Sequence, residues 1–386
     1  MLPPDPLRLA EADELVRGGQ LGAAAALIEA TLEGADATPA QWLQLAALRR
    51  ALRQPRKALE AVHKALALAP LDFTALVLRA SLLQRLDDPE AGQAWDNALA
   101  QRPDGPLPPP MAQAVAEGEA LRSAWLEARA TALAQAAQRA AANADEDEAR
   151  RIARFQSNIL RKTPVYRSQP THYHYPGLAE WDFYPRHRFP WLDELEAATP
   201  VIRAELEAVL RSDRADLVPY LQYAEHEPLD QWRELNRNLD WTAIHLLKGG
   251  LRIKANADLC PRTMDVLSRI AQPAIPGASP VALFSLLAPH KTIPPHVGVN
   301  NTRLLCHLPL IVPEGGCWFR VGAETRHWRE GEAFVFDDTY EHEAANPTDK
   351  LRVVLIFDIW HPDLSDTEKR AIAEVIAADG AVNGTS

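Results

Sequence analysis

Cysteine is scarce in this chain. Cys260, Cys306 and Cys317 are the three among 386 residues, too few and too irregularly spaced for a disulfide framework or a zinc ribbon. They fit a reducing, cytoplasmic setting. Long apolar runs are lacking too. The stretch 353–360 (VVLIFDIW) is strand-sized and broken by charge, well short of the roughly 18 residues that a membrane helix needs. The start, MLPPDPLRLAEADELV, has no basic segment followed by an apolar run, so no secretory leader is expected. Positive charge is not in excess. A formal charge of -11 leaves no basic footprint for nucleic acid, and neither nucleic acid nor membrane is expected as a partner.

What is present points to more than one domain. At roughly 100 to 200 residues per domain, the length suggests two or three. The first hundred residues are rich in Ala and Leu with helical periodicity. They repeat at an offset of 33, which superposes Leu45 on Leu78, Ala47 on Ala80, Ala58 on Ala91, Ala65 on Ala98, Leu66 on Leu99 and Pro70 on Pro103. A weaker copy precedes these, with Ala24 lying 34 before Ala58 and Leu32 lying 34 before Leu66. A helix-turn-helix unit of this length resembles the tetratricopeptide repeat. The sequence therefore predicts repeats over 8–103, about the minimum number that buries a continuous core. The run 104–110 (DGPLPPP) reads as a stiff, extended break. Residues 111–162 read as a connecting helix pair within a 104–163 linker region, and the acidic run Asp145, Glu146, Asp147 and Glu148 reads as a solvated helix face.

After Pro164 the character changes: Trp, Tyr, His and Pro become frequent and β-type alternation begins. Strands are expected at 243–247, 281–287, 303–312, 317–321, 333–336 and 352–359, separated by Gly, Pro and Asp turns. Short strands with this punctuation indicate a sandwich or barrel, and a double-stranded β-helix, or jelly roll, is the leading expectation for 164–386. The fold class is thus α+β, a helical repeat region followed by a jelly roll.

Three residues of this half carry the chemistry. His296 lies in PPHVG, a loop leading toward the strand near Arg303, and His342 lies in DDTYEHE after the apolar AFVF. Two histidines at strand ends, 46 residues apart, stand where a jelly roll places metal ligands, and imidazole suits iron(II) when coordination positions stay open. Ten residues on, Arg352 opens the alternating RVVLIFDIW, so that Arg352, Val354 and Ile356 share one face. A guanidinium entering an apolar barrel calls for an anion, and a dicarboxylate matches its fork.

The runs PPHVGVNNTRLLCHLPLIVPEGGCWFRVG and WREGEAFVFDDTYEHEAANPTDKLRVVLIFDIWHPDL, with PGLAEWDFYPRHRFPWLDELEAATPVIRAEL upstream, resemble the oxygenase domain of aspartyl/asparaginyl β-hydroxylases over about 165–370. That resemblance implies a double-stranded β-helix, iron(II), 2-oxoglutarate as cosubstrate and dioxygen as oxidant. It implies that His296 and His342 bind iron, that Arg352 pairs with the far carboxylate of 2-oxoglutarate, and that Ser285 and His307 contact the same cosubstrate. It also implies a peptide or protein substrate hydroxylated at Asp or Asn, with the repeats as a site for a protein partner. Hydroxylation of a lipid acyl chain or small molecule is the alternative within enzymes, and a non-catalytic adaptor the alternative outside them. The carboxylate that usually follows the first histidine by two residues is replaced by Gly298, which this family shares. The glycine is expected to leave the metal's flank open to water or substrate, and Asp337 and Asp338 are expected to serve the turn and support the site rather than bind metal.

Overall fold

The structure is a computed structural model that describes residues 3–212, 217–224, 226 and 229–383. It contains two compact units, Met1–Leu160 and Arg161–Ser386.

The first unit is helical: α1 (Pro6–Arg17), α2 (Leu21–Leu32), α3 (Pro39–Ala51), α4 (Pro55–Leu68), α5 (Phe73–Arg85), α6 (Ala91–Leu99), α7 (Pro109–Ala140) and α8 (Glu146–Ile159). Helix starts are written in the sequence. Asp5 and Asp72 accept backbone N–H groups at the heads of α1 and α5, Thr38 with Gln41 forms a capping box on α3, and α3 and α4 carry proline in their first turn. Small residues lie where helices cross: Ala24, Ala58, Ala65, Ala80 and Ala98 are fully buried.

The repeat is real but its spacing is mixed. Buried Ala46 and Leu48 of α3 correspond to Ala80 and Leu82 of α5 at 34, and Arg53 and Asp87, both at positive φ, keep that spacing in the following turn. Buried Ala58, Ala61, Val62 and Ala65 of α4 correspond to Ala91, Ala94, Trp95 and Ala98 of α6 at 33. One residue is missing where α6 begins, so the pairing of Ala47 with Ala80 is displaced by one: Ala47 is exposed and Ala46 takes the buried place.

The proline run does not bar a helix. Pro109 and Pro110 form the first turn of α7, where the missing N–H costs nothing. That helix packs on α6, because a Cβ on Gly118 would lie 2.3 Å from the Trp95 ring and one on Gly92 would lie 2.2 Å from Trp125. The acidic run caps α8: Asp145 and Glu148 form a capping box, with Glu146 and Asp147 in the favourable end of the helix dipole.

The second unit begins, after an irregular stretch, with α9 (Leu192–Ala197) and α10 (Thr199–Leu210). Then come β1 (Val218–Pro219), β2 (Trp241–Lys248), β3 (Leu251–Arg252), α11 (Lys254–Ala257) and α12 (Pro261–Ser268). The remaining strands are β4 (Ala282–Leu287), β5 (Lys291–His296), β6 (Arg303–Ile311), β7 (Trp318–Val321), β8 (Glu324–His327), β9 (Phe334–Phe336), β10 (His342–Asn346) and β11 (Arg352–Trp360), before the final α13 (Asp366–Asn383). The six expected strands are present, and five more that alternation did not reveal, β1, β3, β5, β8 and β10, join them.

One antiparallel sheet runs β1-β2-β4-β11-β6-β9 with β3 beside β2, and a second runs β5-β10-β7-β8. The two faces of β11 explain the layering. Val353, Leu355, Phe357 and Ile359 pack with Leu192, Leu195, Ile202 and Leu206 of α9 and α10. Val354 and Ile356 turn inward against Ile293, Phe319, Phe336 and Ala344, which bridge the two sheets. Helices, large sheet and small sheet thus form the jelly roll, and its inner layer holds the site. Among the described residues no helix is long and apolar enough to cross a membrane.

Candidate active site

Hydrogen-bond register brings the two histidines together. His342, the first residue of β10, pairs with His296, the last of β5, and their ring centroids are 4.0 Å apart. His296 is therefore at a strand end, not in a loop. Each ring is oriented by its own chain: Nδ1 of His296 donates to the carbonyl of Pro294 at 2.8 Å, and Nδ1 of His342 donates to that of Tyr340 at 2.9 Å. A carbonyl only accepts, so the proton sits on Nδ1 and each Nε2 keeps its lone pair. Burial first, and then the charge of His342, holds the pKa of His296 down to about 3, while burial holds His342 down to about 4. Both imidazoles are neutral at physiological pH, the form a metal ion requires.

Arg352 lies behind them, 1% exposed. Its Nη1 donates to the Ser285 carbonyl at 3.3 Å and its guanidinium lies 4.5 Å over the Trp328 ring. Nε and Nη2 have no hydrogen-bond partner, and neither do His307 Nδ1 and Trp328 Nε1. These groups line one inner chamber with Ser285, His296 and His342. Burial lowers the Arg352 pKa to about 9, which still leaves a cation at neutral pH. His307 is pushed well below its ordinary value by burial, then by Arg352 and His342. A buried cation without a counter-charge is costly, and unpaired donors around it describe a receptor for an anion. Ser285 completes the wall, its Oγ accepting from Trp241 Nε1 at 3.1 Å and keeping its own proton to donate.

The structure thus assembles all five residues singled out by sequence: His296, His342, Arg352, Ser285 and His307. Trp241 and Trp328 were missed, although Trp241 heads an inward-facing set that continues with Ala243 on β2, a clue that strand parity offers.

Gly298 departs from expectation. A Cβ there would lie 2.2 Å from Oδ2 of Asp338, so the space beside the histidine is filled by that carboxylate rather than left open. Asp338 is itself tied to Arg303 at 3.0 Å, while Asp337 accepts from the backbone and hydroxyl of Thr339 at 2.9 and 2.6 Å. Among the described residues no group of three His, Cys, Asp or Glu side chains is placed to hold a metal ion.

An outer cleft of about 720 Å³ opens from the histidines past Tyr220, Trp232, Leu283, Leu305 and Arg303. Residues 196–362 match the family model for aspartyl/asparaginyl beta-hydroxylase. Over that segment the C-terminal unit is similar to the aspartyl/asparaginyl beta-hydroxylase family. The chain is 38% identical over 190 residues to an ornithine lipid ester-linked acyl 2-hydroxylase of Rhizobium tropici, covering 49% of this chain and 63% of that protein. It is 28% identical over 187 residues to human aspartyl/asparaginyl beta-hydroxylase, covering 48% of this chain and 24% of that one. Human aspartate beta-hydroxylase domain-containing protein 2 is 33% identical over 141 residues, covering 36% and 38%. The chain therefore spans less than two thirds of each of these relatives, and the matched family segment lies wholly within the jelly-roll unit.

Proposed function

We propose that this protein, as a member of the beta-hydroxylase family, is an iron(II)- and 2-oxoglutarate-dependent dioxygenase. One observation carries the reading: two neutral histidines, each donating from Nδ1 to a backbone carbonyl, share a buried chamber with an arginine whose Nε and Nη2 lack partners. His296 and His342 would hold the metal. Arg352, with Ser285, would receive the far carboxylate of 2-oxoglutarate, and His307 and Trp328 would contact the same molecule. Iron(II), 2-oxoglutarate and dioxygen together supply oxidative decarboxylation and C–H hydroxylation. The chain's own part is to orient the two imidazoles, neutralise the cosubstrate carboxylate in a site shielded from water, and shape the cleft that presents the substrate C–H bond.

The substrate class follows from the cleft. Its charged residues are Arg303, Asp338 and Asp358. Arg303 Nη2 is committed to Asp338, and Asp358 accepts from Ser279 Oγ at 2.5 Å and the Val281 backbone at 2.9 Å. One cation beside two carboxylates repels an anionic side chain. Arg303 Nη1, which has no partner, suits a neutral carbonyl oxygen. Tyr220, Trp232, Trp241, Leu283, Leu305 and Ile356 supply a broad apolar part of the wall. This lining favours an acyl chain joined through a neutral ester or amide, a substrate of the kind named for the Rhizobium relative. An Asp or Asn residue of a polypeptide, recruited by the helical repeats, is the second reading, supported by the concave surface that stacked helix pairs create.

Iron-dependent release of succinate, with mass spectrometry of the product, tests both. Addition of one oxygen atom to an ester-linked acyl substrate supports the first reading. The same addition to Asp or Asn peptides alone selects the second, and no iron-dependent 2-oxoglutarate consumption with any substrate removes the reaction itself.

A further inference from the structure

Beyond the catalytic cleft, α13 and the segment 172–175 enclose a second groove of about 360 Å³. Tyr173, Tyr175, Ala371, Ile372, Val375 and Ile376 form most of its wall, with His172, His174 and Thr302 as its polar members. The groove continues the cleft, because Tyr173 and Ile376 line both. The α13 side of the groove is apolar. The Tyr173 hydroxyl donates to Asp379 at 2.7 Å and the Tyr175 hydroxyl donates to Glu368 at 3.0 Å, so both polar tips are occupied and the rings remain as surface. Ile372 and Ile376 anchor the helix in a small core with Ile275 and Leu364, while Val375 stays 66% exposed.

The segment is also coupled to the site. His172 and Tyr173 donate backbone N–H groups to Val299 at 3.1 and 2.9 Å, Thr171 donates to Gly298 at 3.1 Å, and Gln169 donates to Thr339 at 2.8 Å. The backbone that forms the groove wall is thus bonded to the loops that follow His296 and precede His342.

We propose that this α13 groove is the outer half of the substrate site and holds the distal methylenes of a fatty acyl chain whose reacting carbon lies at the histidines. The assignment rests on the acyl reading of the cleft and deepens it. Continuity with the cleft, an apolar α13 wall and sequestered hydroxyls fit a hydrocarbon chain. A peptide would instead need partners along its length for its backbone N–H and C=O groups, and the α13 wall of Ala371, Ile372, Val375 and Ile376 offers none.

The experiment uses the full chain and a series of N-acyl amides of increasing length, with affinity measured by displacement of a fluorescent acyl probe. In the wild type each methylene reaching the groove tightens binding roughly threefold to fourfold, the equivalent of about 0.8 kcal/mol per buried CH2. Val375→Asp, which places a charge on the groove wall, and Ala371→Trp, which fills it, abolish that increment for long chains. Val382→Asp, at an 85% exposed position of the same helix outside the groove, keeps it. Unchanged chain-length dependence in both groove variants overturns the proposal, as does loss of binding to peptides but not to acyl amides. The underlying reading fails separately. If acyl binding depends on the groove but no acyl product forms, the hydroxylation assignment falls and the groove stands. If product forms and the groove variants bind as the wild type does, the groove falls and the reaction stands.

Discussion

Replacing Arg352 by lysine keeps a charge in the inner chamber and removes the fork. In the wild type one nitrogen, Nη1, is spent on the Ser285 carbonyl, and Nε and Nη2 remain for a ligand. A carboxylate received by two charge-assisted hydrogen bonds would keep one with lysine. A hydrogen bond to a charged group contributes about 1.5 to 3 kcal/mol, so the 2-oxoglutarate Kd is expected to rise roughly 10- to 150-fold. The metal Kd should change little, because neither histidine bonds to Arg352. A companion variant sharpens the test. Arg352→Met removes an unpaired buried cation and keeps apolar volume, a change that is often neutral or stabilising, here partly offset by loss of the contact with Trp328. Its ligand-free melting temperature should match or exceed that of the wild type, while its stabilisation by 2-oxoglutarate disappears. For the wild type that stabilisation is about 2.7 kcal/mol at a hundredfold excess over Kd. Calorimetric titration with manganese(II) in place of iron, with melting curves at several 2-oxoglutarate concentrations, reads all of these. An unchanged 2-oxoglutarate Kd in both variants would refute the assignment of Arg352.

Three further expectations follow from the same geometry. His296→Ala and His342→Ala should each abolish 2-oxoglutarate turnover while circular dichroism stays as in the wild type; turnover preserved at limiting iron would exclude the residue as a ligand. Gly298→Ala drives a methyl group into the Asp338 carboxylate and should lower both melting temperature and activity, and adding Asp338→Ala should restore much of the melting temperature; a single variant as stable as the wild type would show that Asp338 moves aside freely. Asp337 has its pKa raised to about 7, by burial first. Its folded form binds a proton more tightly than the unfolded chain, so its contribution to stability is full below pH 4 and is lost as pH rises through about 7. Asp337→Asn should therefore leave stability near pH 4 unchanged and raise it at pH 8, by at most on the order of 4 kcal/mol, and chemical denaturation at the two pH values decides it.

How much of this was legible in the sequence depended on the range of the forces involved. The six expected strands and the helical repeats announce themselves through periodicity, which is local. β5 (KTIPPH) and β10 (HEAAN) do not, because proline, charge and small residues give no alternation, and only the pairing of His342 with His296 across the small sheet makes them strands. The single residue lost at the start of α6 blurred the repeat because one offset was applied to both helices. The two histidines and Arg352 were legible from order and spacing. The occupancy of the space beside Gly298 was not, since Asp338 comes from 40 residues further along the chain, and neither were Trp241 and Trp328, whose roles arise only when the sheets face each other. Pro109 and Pro110 were ambiguous by nature, since proline both stops a helix and begins one.

The two Nδ1 bonds to carbonyls two residues earlier have a consequence for how this fold diversifies. Each imidazole takes its orientation from its own tripeptide, and around His296 two consecutive prolines fix the backbone φ, so neither ring depends on a distant side chain for its aim. On the proposed reading, selectivity is by contrast spread over β2, β4, β6, the segment 172–175 and α13. Reactivity and substrate choice are therefore inherited on separate pieces of chain. Walls of the cleft can be exchanged residue by residue without detuning the oxidising centre, which is a route by which one scaffold acquires substrates as different as a polypeptide side chain and a lipid tail.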